Sequence, residues 1–184
     1  MIAIPWYFAD ILGMGGTYAK AYAILTFVSL FWGLYSGTLI DRYSRKKMFL
    51  YSNLACAFII GSIAMYGISF GYTPWILVIA VFGTTMFHYN VHYPNLYAFG
   101  QEITEPKNYA KLNAYIEIQG QSTSIFAGAF AAILLTGTQN GILNLMGFKI
   151  QMPFDIKAWQ IHEIFLMDAF TYICLLYTSD AADD

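Results

Sequence analysis

The sequence predicts an all-α, polytopic membrane protein, and three observations carry that prediction. First, only 11% of the 184 residues are charged, against about 25% in an ordinary soluble domain. Second, 58% of residues are hydrophobic and 18% aromatic, with a mean hydropathy of +0.52, so lipid suits most of the chain better than water. Third, no Asp, Glu, Lys or Arg occurs from Met48 to Gln101. One helix needs only about 20 residues to cross a hydrocarbon core of ~30 Å, so this run must fold back on itself. Only helices and closed barrels satisfy their backbone hydrogen bonds in lipid. Uninterrupted apolar stretches such as LACAFIIGSIAMYGI lack the alternation of barrel strands, which leaves helices.

In chain order, residues 1–12 are read as the second half of a membrane helix. IAIPWYFADIL has neither the basic region nor the small-residue cleavage site of a signal peptide. LGMGGTY makes a turn, and a second helix runs from Ala19 to Ile40. The third covers Lys47 to Phe70, and SFGYTP then breaks the chain, because Gly and Pro punctuate and the residue before Pro leaves the helical region. The fourth spans Trp75 to Phe99, QEITEPKNYAK is a polar loop, and the fifth spans Leu112 to Leu135. TGTQNGILNLMGFKIQMPFDIKAWQ mixes apolar, Gly and charged residues without spanning length and is read as a connection lying partly at the interface. A sixth helix starts near Ile161 and is cut near Ile173.

The last stretch, CLLYTSDAADD (174–184), resembles the in-frame translation of a transposon-end sequencing adapter and is set aside as an artefact. Three acids and Cys174 are then not native. The chain is accordingly read as residues 1–173 of one transmembrane bundle, incomplete in its first and sixth helices.

Lys and Arg collect on the cytoplasmic side of short loops. Arg42, Arg45, Lys46, Lys47, Lys107 and Lys111 lie on one side, and Lys20, Lys149 and Lys157 on the other. That places loops 41–47 and 101–111 in the cytoplasm, in a multi-pass protein of the inner (cytoplasmic) membrane. Trp6, Tyr7, Trp75 and Trp159 then fit an outer aromatic belt. A formal net charge of −2 gives no basic face for nucleic acid. Two cysteines imply no disulfide framework. There is no P-loop and no H-E-x-x-H, and the chain is read as neither an enzyme nor an ATP-driven pump, with no cofactor.

Charge is densest in GTLIDRYSRKK, between two uncharged spans. A positive-inside anchor accounts for any one of its bases; the spacing says more. Asp41 is read as opening a helix, where the N-terminal partial charge favours an acid, and the bases can pair with it or with neighbouring helix ends. Gly37, Asp41, Arg42, Arg45 and Lys46 resemble the loop signature of the major facilitator superfamily, with Ser44 standing where that family usually has a second glycine. Pro94 near the inner end of the fourth helix, Asn113 with Ala114 at the start of the fifth, and Asp168 in the sixth are similar to the branch of macrolide-efflux and related exporters. The resemblance implies the N-terminal six-helix half of a twelve-helix secondary transporter, about five and a half helices of it present. It implies alternating access to a small-molecule site shared with a C-terminal half, driven by an ion gradient. Gly37 to Lys46 would be a conformational latch, and the half alone would not transport. Efflux is the first reading and proton-coupled nutrient uptake the second; a membrane scaffold or sensor without transport is a third.

Within the spans, polar residues are candidates for a substrate or proton path, since a carboxylate at membrane depth must be paired or face water. Glu117 is the acid inside the fifth span, with Gln121 and Ser124 at i+4 and i+7. It can bind a cation, carry a proton, or pair with a base at the inner end. His88 and His92 stand four apart beside Asn90, Tyr89 and Tyr93. Two histidines fall short of the three or four ligands of a zinc site, so a pH-sensitive or hydrogen-bonding cavity lining, since His titrates near neutral pH, or plain packing, is the reading. Asp10 and Asp168 complete the set. Gly33 with Gly37, and Gly120, Ser124, Gly128 and Ala132, form small-residue rows that let helices approach closely, either inside the bundle or against the missing half.

Overall fold

The computed structural model describes residues 3–138, 142–145, 148–151, 153 and 155–180, without the side chains of 143–150 and 175–180. Met1 and Ile2, part of the connection before Ile161, and residues 181–184 of the adapter-like tail lie outside the described residues.

A short helix α1 (Ala3–Trp6) runs into a π-helical turn, Tyr7–Ile11. Three long helices follow: α2 (Gly15–Arg42), α3 (Arg45–Phe70) and α4 (Trp75–Glu102). A 3-10 turn, Pro106–Asn108, leads into α5 (Tyr109–Thr136). After a hairpin of β1 (Ile142–Leu145) and β2 (Phe148–Gln151), α6 (Ile161–Asp180) closes the described chain. Two helices, Gly15–Arg42 and Arg45–Phe70, and the helical segment Pro106–Thr136 are long and apolar enough to cross a membrane.

The sequence places every long helix, but the ends differ. α2 runs on to Arg42, so Asp41 sits in the last turn of a helix rather than at the start of one, where the dipole does not favour it. The loop shrinks to Tyr43 and Ser44. Ser44 explains this: its backbone is extended (φ −63°, ψ 134°) and its hydroxyl accepts from Lys47 N at 3.4 Å, capping α3 two residues earlier than predicted. α4 and α5 likewise extend to Glu102 and back to Tyr109. The connection after α5 holds a hairpin that sequence reading left as irregular, with Ile142 opposite Gln151 and Leu145 opposite Phe148.

Two glycines set the turns at the other end. Gly71 ends α3 in the left-handed region (φ 74°), as helix C-termini favour. Gly137 ends α5 with a positive φ as well (φ 64°, ψ −169°), a more extended conformation open to glycine, and a Cβ there would lie 2.6 Å from Ile156 O and Ala158 N. That close pass lets Trp159 N donate to Leu134 O (2.7 Å) and Thr138 N to Ile156 O (2.8 Å), so the chain leaves and re-enters the bundle at one point.

α3 packs along α6 and also along α4, α2 packs along α4, and α5 touches α1. Small residues permit the first contact: Gly61 faces Ala169, with 3.6 Å to a notional Cβ, and Ala57, Ala64 and Ala169 are buried beside it. This row was not singled out in the sequence. The core gathers Phe8, Ile60, Val78 and Val81, all essentially buried, against Ile161 and Phe165.

α4 carries Pro94 in its interior. Proline has no N–H, so the Asn90 carbonyl loses its usual i+4 donor. Ser36 of α2, itself 1% exposed, supplies one: its hydroxyl donates to Asn90 O at 3.2 Å as well as to Gly33 O at 2.9 Å. One turn away, Trp32 Nε1 donates to Phe87 O at 3.0 Å.

Candidate functional site

A half-open cavity of about 460 Å³ lies between α1, α4, α5 and α6. One face of α4 builds its wall through Val81, Thr85, Tyr89, His92, Tyr93 and Leu96, the i, i+4 recurrence of a helical stripe. α5 contributes Gln119, Gly120, Thr123 and Ser124, and α6 contributes Asp168.

Two tyrosines stand together in this wall. Tyr89 and Tyr93 stack with centroids 4.3 Å apart, and Tyr93 and Tyr97 follow at 6.4 Å. The Tyr97 hydroxyl donates to Glu117 Oε1 across the α4/α5 boundary. Gly120 makes room for this arrangement, since a Cβ there would stand 2.8 Å from the Tyr93 hydroxyl oxygen. Glu117 is therefore held by a phenol, on the exposed side of α5 and outside the cavity lining.

The two histidines lead away from it. His92 lines the cavity, and its ring contacts Phe49 at 5.1 Å and His88 at 5.2 Å. His88 meets Tyr172 of α6 edge-on at 5.2 Å. His88 Nε2 and His92 Nδ1 are buried without a hydrogen-bond partner among the described residues. Among those residues no group of three His, Cys, Asp or Glu is placed to hold a metal ion.

Of the residues singled out in the sequence, Tyr89, His92, Tyr93, Gly120, Ser124 and Asp168 line this cavity, whereas Glu117 is exposed, lies outside the lining and is bonded to Tyr97. Asp10 and Gln121 are exposed and do not line it, nor does the half-buried Asn90. Gly128 is half-buried on α5 outside the lining. Thr85 and Thr123 in the lining, and Tyr97 as the partner of Glu117, were missed in the sequence, although a Tyr at 89, 93 and 97 is an i, i+4, i+8 pattern visible in the chain.

The charged loop forms a second feature, where α2, α3 and α4 end or begin. Arg45 Nε pairs with Glu102 Oε1 at 2.6 Å, joining the start of α3 to the end of α4. Asn95 of α4, 1% exposed, donates to Arg45 O at 3.0 Å. Asp41, Arg42 and Lys46 are exposed, and Asp41 makes no ion pair among the described residues. Gly33 and Gly37 are exposed too, with nothing within 4 Å of a notional Cβ, so contact inside the bundle does not account for that row.

In comparisons with known proteins, no family model, no curated protein and no solved structure matches the chain.

Proposed function

We propose that the chain is the N-terminal half of a secondary transporter of the major facilitator type, moving small molecules out of the cell by alternating access. The observation that carries this reading is the helix pairing. If α1–α3 and α4–α6 are two inverted three-helix units, exchanging them turns the α2·α4 contact into α5·α1 and returns α3·α6 to itself. Those pairs meet in the bundle, beside an α3·α4 packing that the exchange does not reproduce, and such nested repeats are how halves of these transporters are built. A site at the interface between repeats fits the cavity, whose walls come from both units.

The Arg45–Glu102 pair supports the latch reading, because it ties the charged loop to a helix that lines the cavity. Export follows from the resemblance around Pro94, Asn113 and Asp168. The occupant of the open Gly33–Gly37 face would be the second half of the same protein.

The test is expression of the whole open reading frame in a drug-sensitised bacterial host. Tolerance to some compounds should rise, and Asp41→Asn should lower it. No gain across a broad panel, with the protein present in the membrane, would sink the export reading.

A further inference from the structure

Away from the cavity, α3 and α6 leave an open groove of about 650 Å³ along their seam. Its floor is made of small residues: Ala57 and Ala169 are buried, and Gly61 stands against Ala169. Its walls are large, for Met65 on α3 and Leu166, Phe170 and Ile173 on α6 all line it and remain between 43% and 65% exposed. The two helices run antiparallel, since Gly61 meets Ala169 and Gly67 meets His162. Ala57 is thereby level with Ile173, and Met65 with Glu163.

Length and polarity together describe the occupant. Ala57 is near the middle of α3, a helix of 26 residues that is long and apolar enough to cross a membrane. Met65 lies about 12 Å further along at 1.5 Å per residue, and half of a ~30 Å hydrocarbon core is about 15 Å. The groove therefore runs from the bilayer midplane to one headgroup layer. It is apolar over that run and changes character at the surface end, where Trp159 and Glu163, the latter in the first turn of α6, line it. Tryptophan rings favour the headgroup level. Glu163 is the one charged residue among the described lining residues, and its Oε2 accepts from Gln160 N at 2.7 Å, which fixes the carboxylate at the mouth of the groove. An anionic headgroup would meet that carboxylate with no base in the described lining to offset it, whereas an ammonium would pair with it.

We propose that this groove is a binding site for one phospholipid with an ammonium headgroup, an acyl chain lying over Gly61 and the ammonium against Glu163. The site goes beyond the transport reading and stands or falls without it. A volume of about 650 Å³ is within the range of sites that enclose a small organic ligand, and a single acyl chain fills a trough of this length.

The probes are phosphatidylethanolamine and phosphatidylglycerol with the same acyl chains, titrated onto the purified, delipidated 184-residue chain in detergent and read by native mass spectrometry. One lipid should bind ahead of all others, with phosphatidylethanolamine favoured about fivefold. Glu163→Gln keeps an acceptor for Gln160 N and removes the charge, so it should bring the two lipids to within about twofold. Leu166→Trp fills the trough from its exposed wall and should weaken the first lipid by about tenfold. Ala80→Phe, in a separate surface groove beside Trp75 and Gly83, should leave that lipid unchanged. Helical circular dichroism establishes that each variant is folded. Should Leu166→Trp not fold, Gly61→Leu is read instead, since a Cβ at Gly61 makes only ordinary contact with Ala169 at 3.6 Å. Equal affinity for the two lipids overturns the proposal, as does a folded Glu163→Gln chain that keeps the preference. A filled groove that holds the first lipid as tightly as the parent also overturns it, as does an equal loss in Ala80→Phe, the mark of an unspecific lipid shell. So does a chain that binds no lipid and appears as a dimer, which would make a second copy the occupant.

Discussion

Gly67 illustrates how one missing side chain fixes one end of the bundle. His162, in the first turn of α6, is 7% exposed and packs where a Gly67 side chain would be; a Cβ there would stand 2.8 Å from its ring carbon and 2.5 Å from the Thr73 hydroxyl. α3, the α3–α4 turn and α6 thus converge on one residue. Gly67→Val should destabilise the fold by about 1–3 kcal/mol, the usual cost of overpacking, read as a lower midpoint in chemical unfolding from detergent micelles; an unchanged midpoint would mean that His162 moves aside freely. Nothing local marks this position in the sequence, because its partners come from two other elements. Glu117 is the opposite case. A lone acid in an apolar span draws attention by itself, whereas the phenol that holds it becomes visible only once α4 and α5 are side by side.

At the scale of the helices, α2 and α4 are joined at a backbone defect. Pro94 strips Asn90 of its donor, and Ser36 replaces it. Ser36→Ala should cost about 1–3 kcal/mol, the penalty of a buried acceptor left bare. Pro94→Ala restores an N–H four residues on, so adding Ser36→Ala to it should cost clearly less; additive losses in the double-mutant cycle would refute the compensation. Helix existence was legible from apolar run length and from Gly and Pro punctuation. Helix ends were less so: Ser44 caps α3 earlier than the charge pattern implied, and α4 continues to Glu102 because polar residues at an inner end need not stop a helix. The hairpin escaped notice because its strands have four residues each, too short for a period to register. The site was half legible. Polar residues inside spans could be picked out by type, but their sorting between wall, interior and surface depends on helix rotation, which is why Gln121 and Asn90 fall outside the cavity that Ser124 and His92 share.

For the whole molecule, the ends of the helices sort into two sets. Arg45, Asn95 and Glu102 meet at one end, and Gly67, Thr73 and His162 at the other. In a membrane the basic end should be cytoplasmic. With Cys56 and Cys174 replaced by Ser, a cysteine at Tyr72 should react with a membrane-impermeant maleimide added outside intact cells, and one at Tyr43 only after permeabilisation; labelling of both from the same side would contradict an α3 that crosses. The bonds from Ser36 and Trp32 also have a mechanical meaning. They grip main-chain carbonyls of α4 rather than side chains, so α2 cannot slide along its neighbour by simple rotamer changes. A shift of α2 along α4 must therefore break two bonds to main-chain oxygens, one of them to the carbonyl that Pro94 leaves without a helical donor.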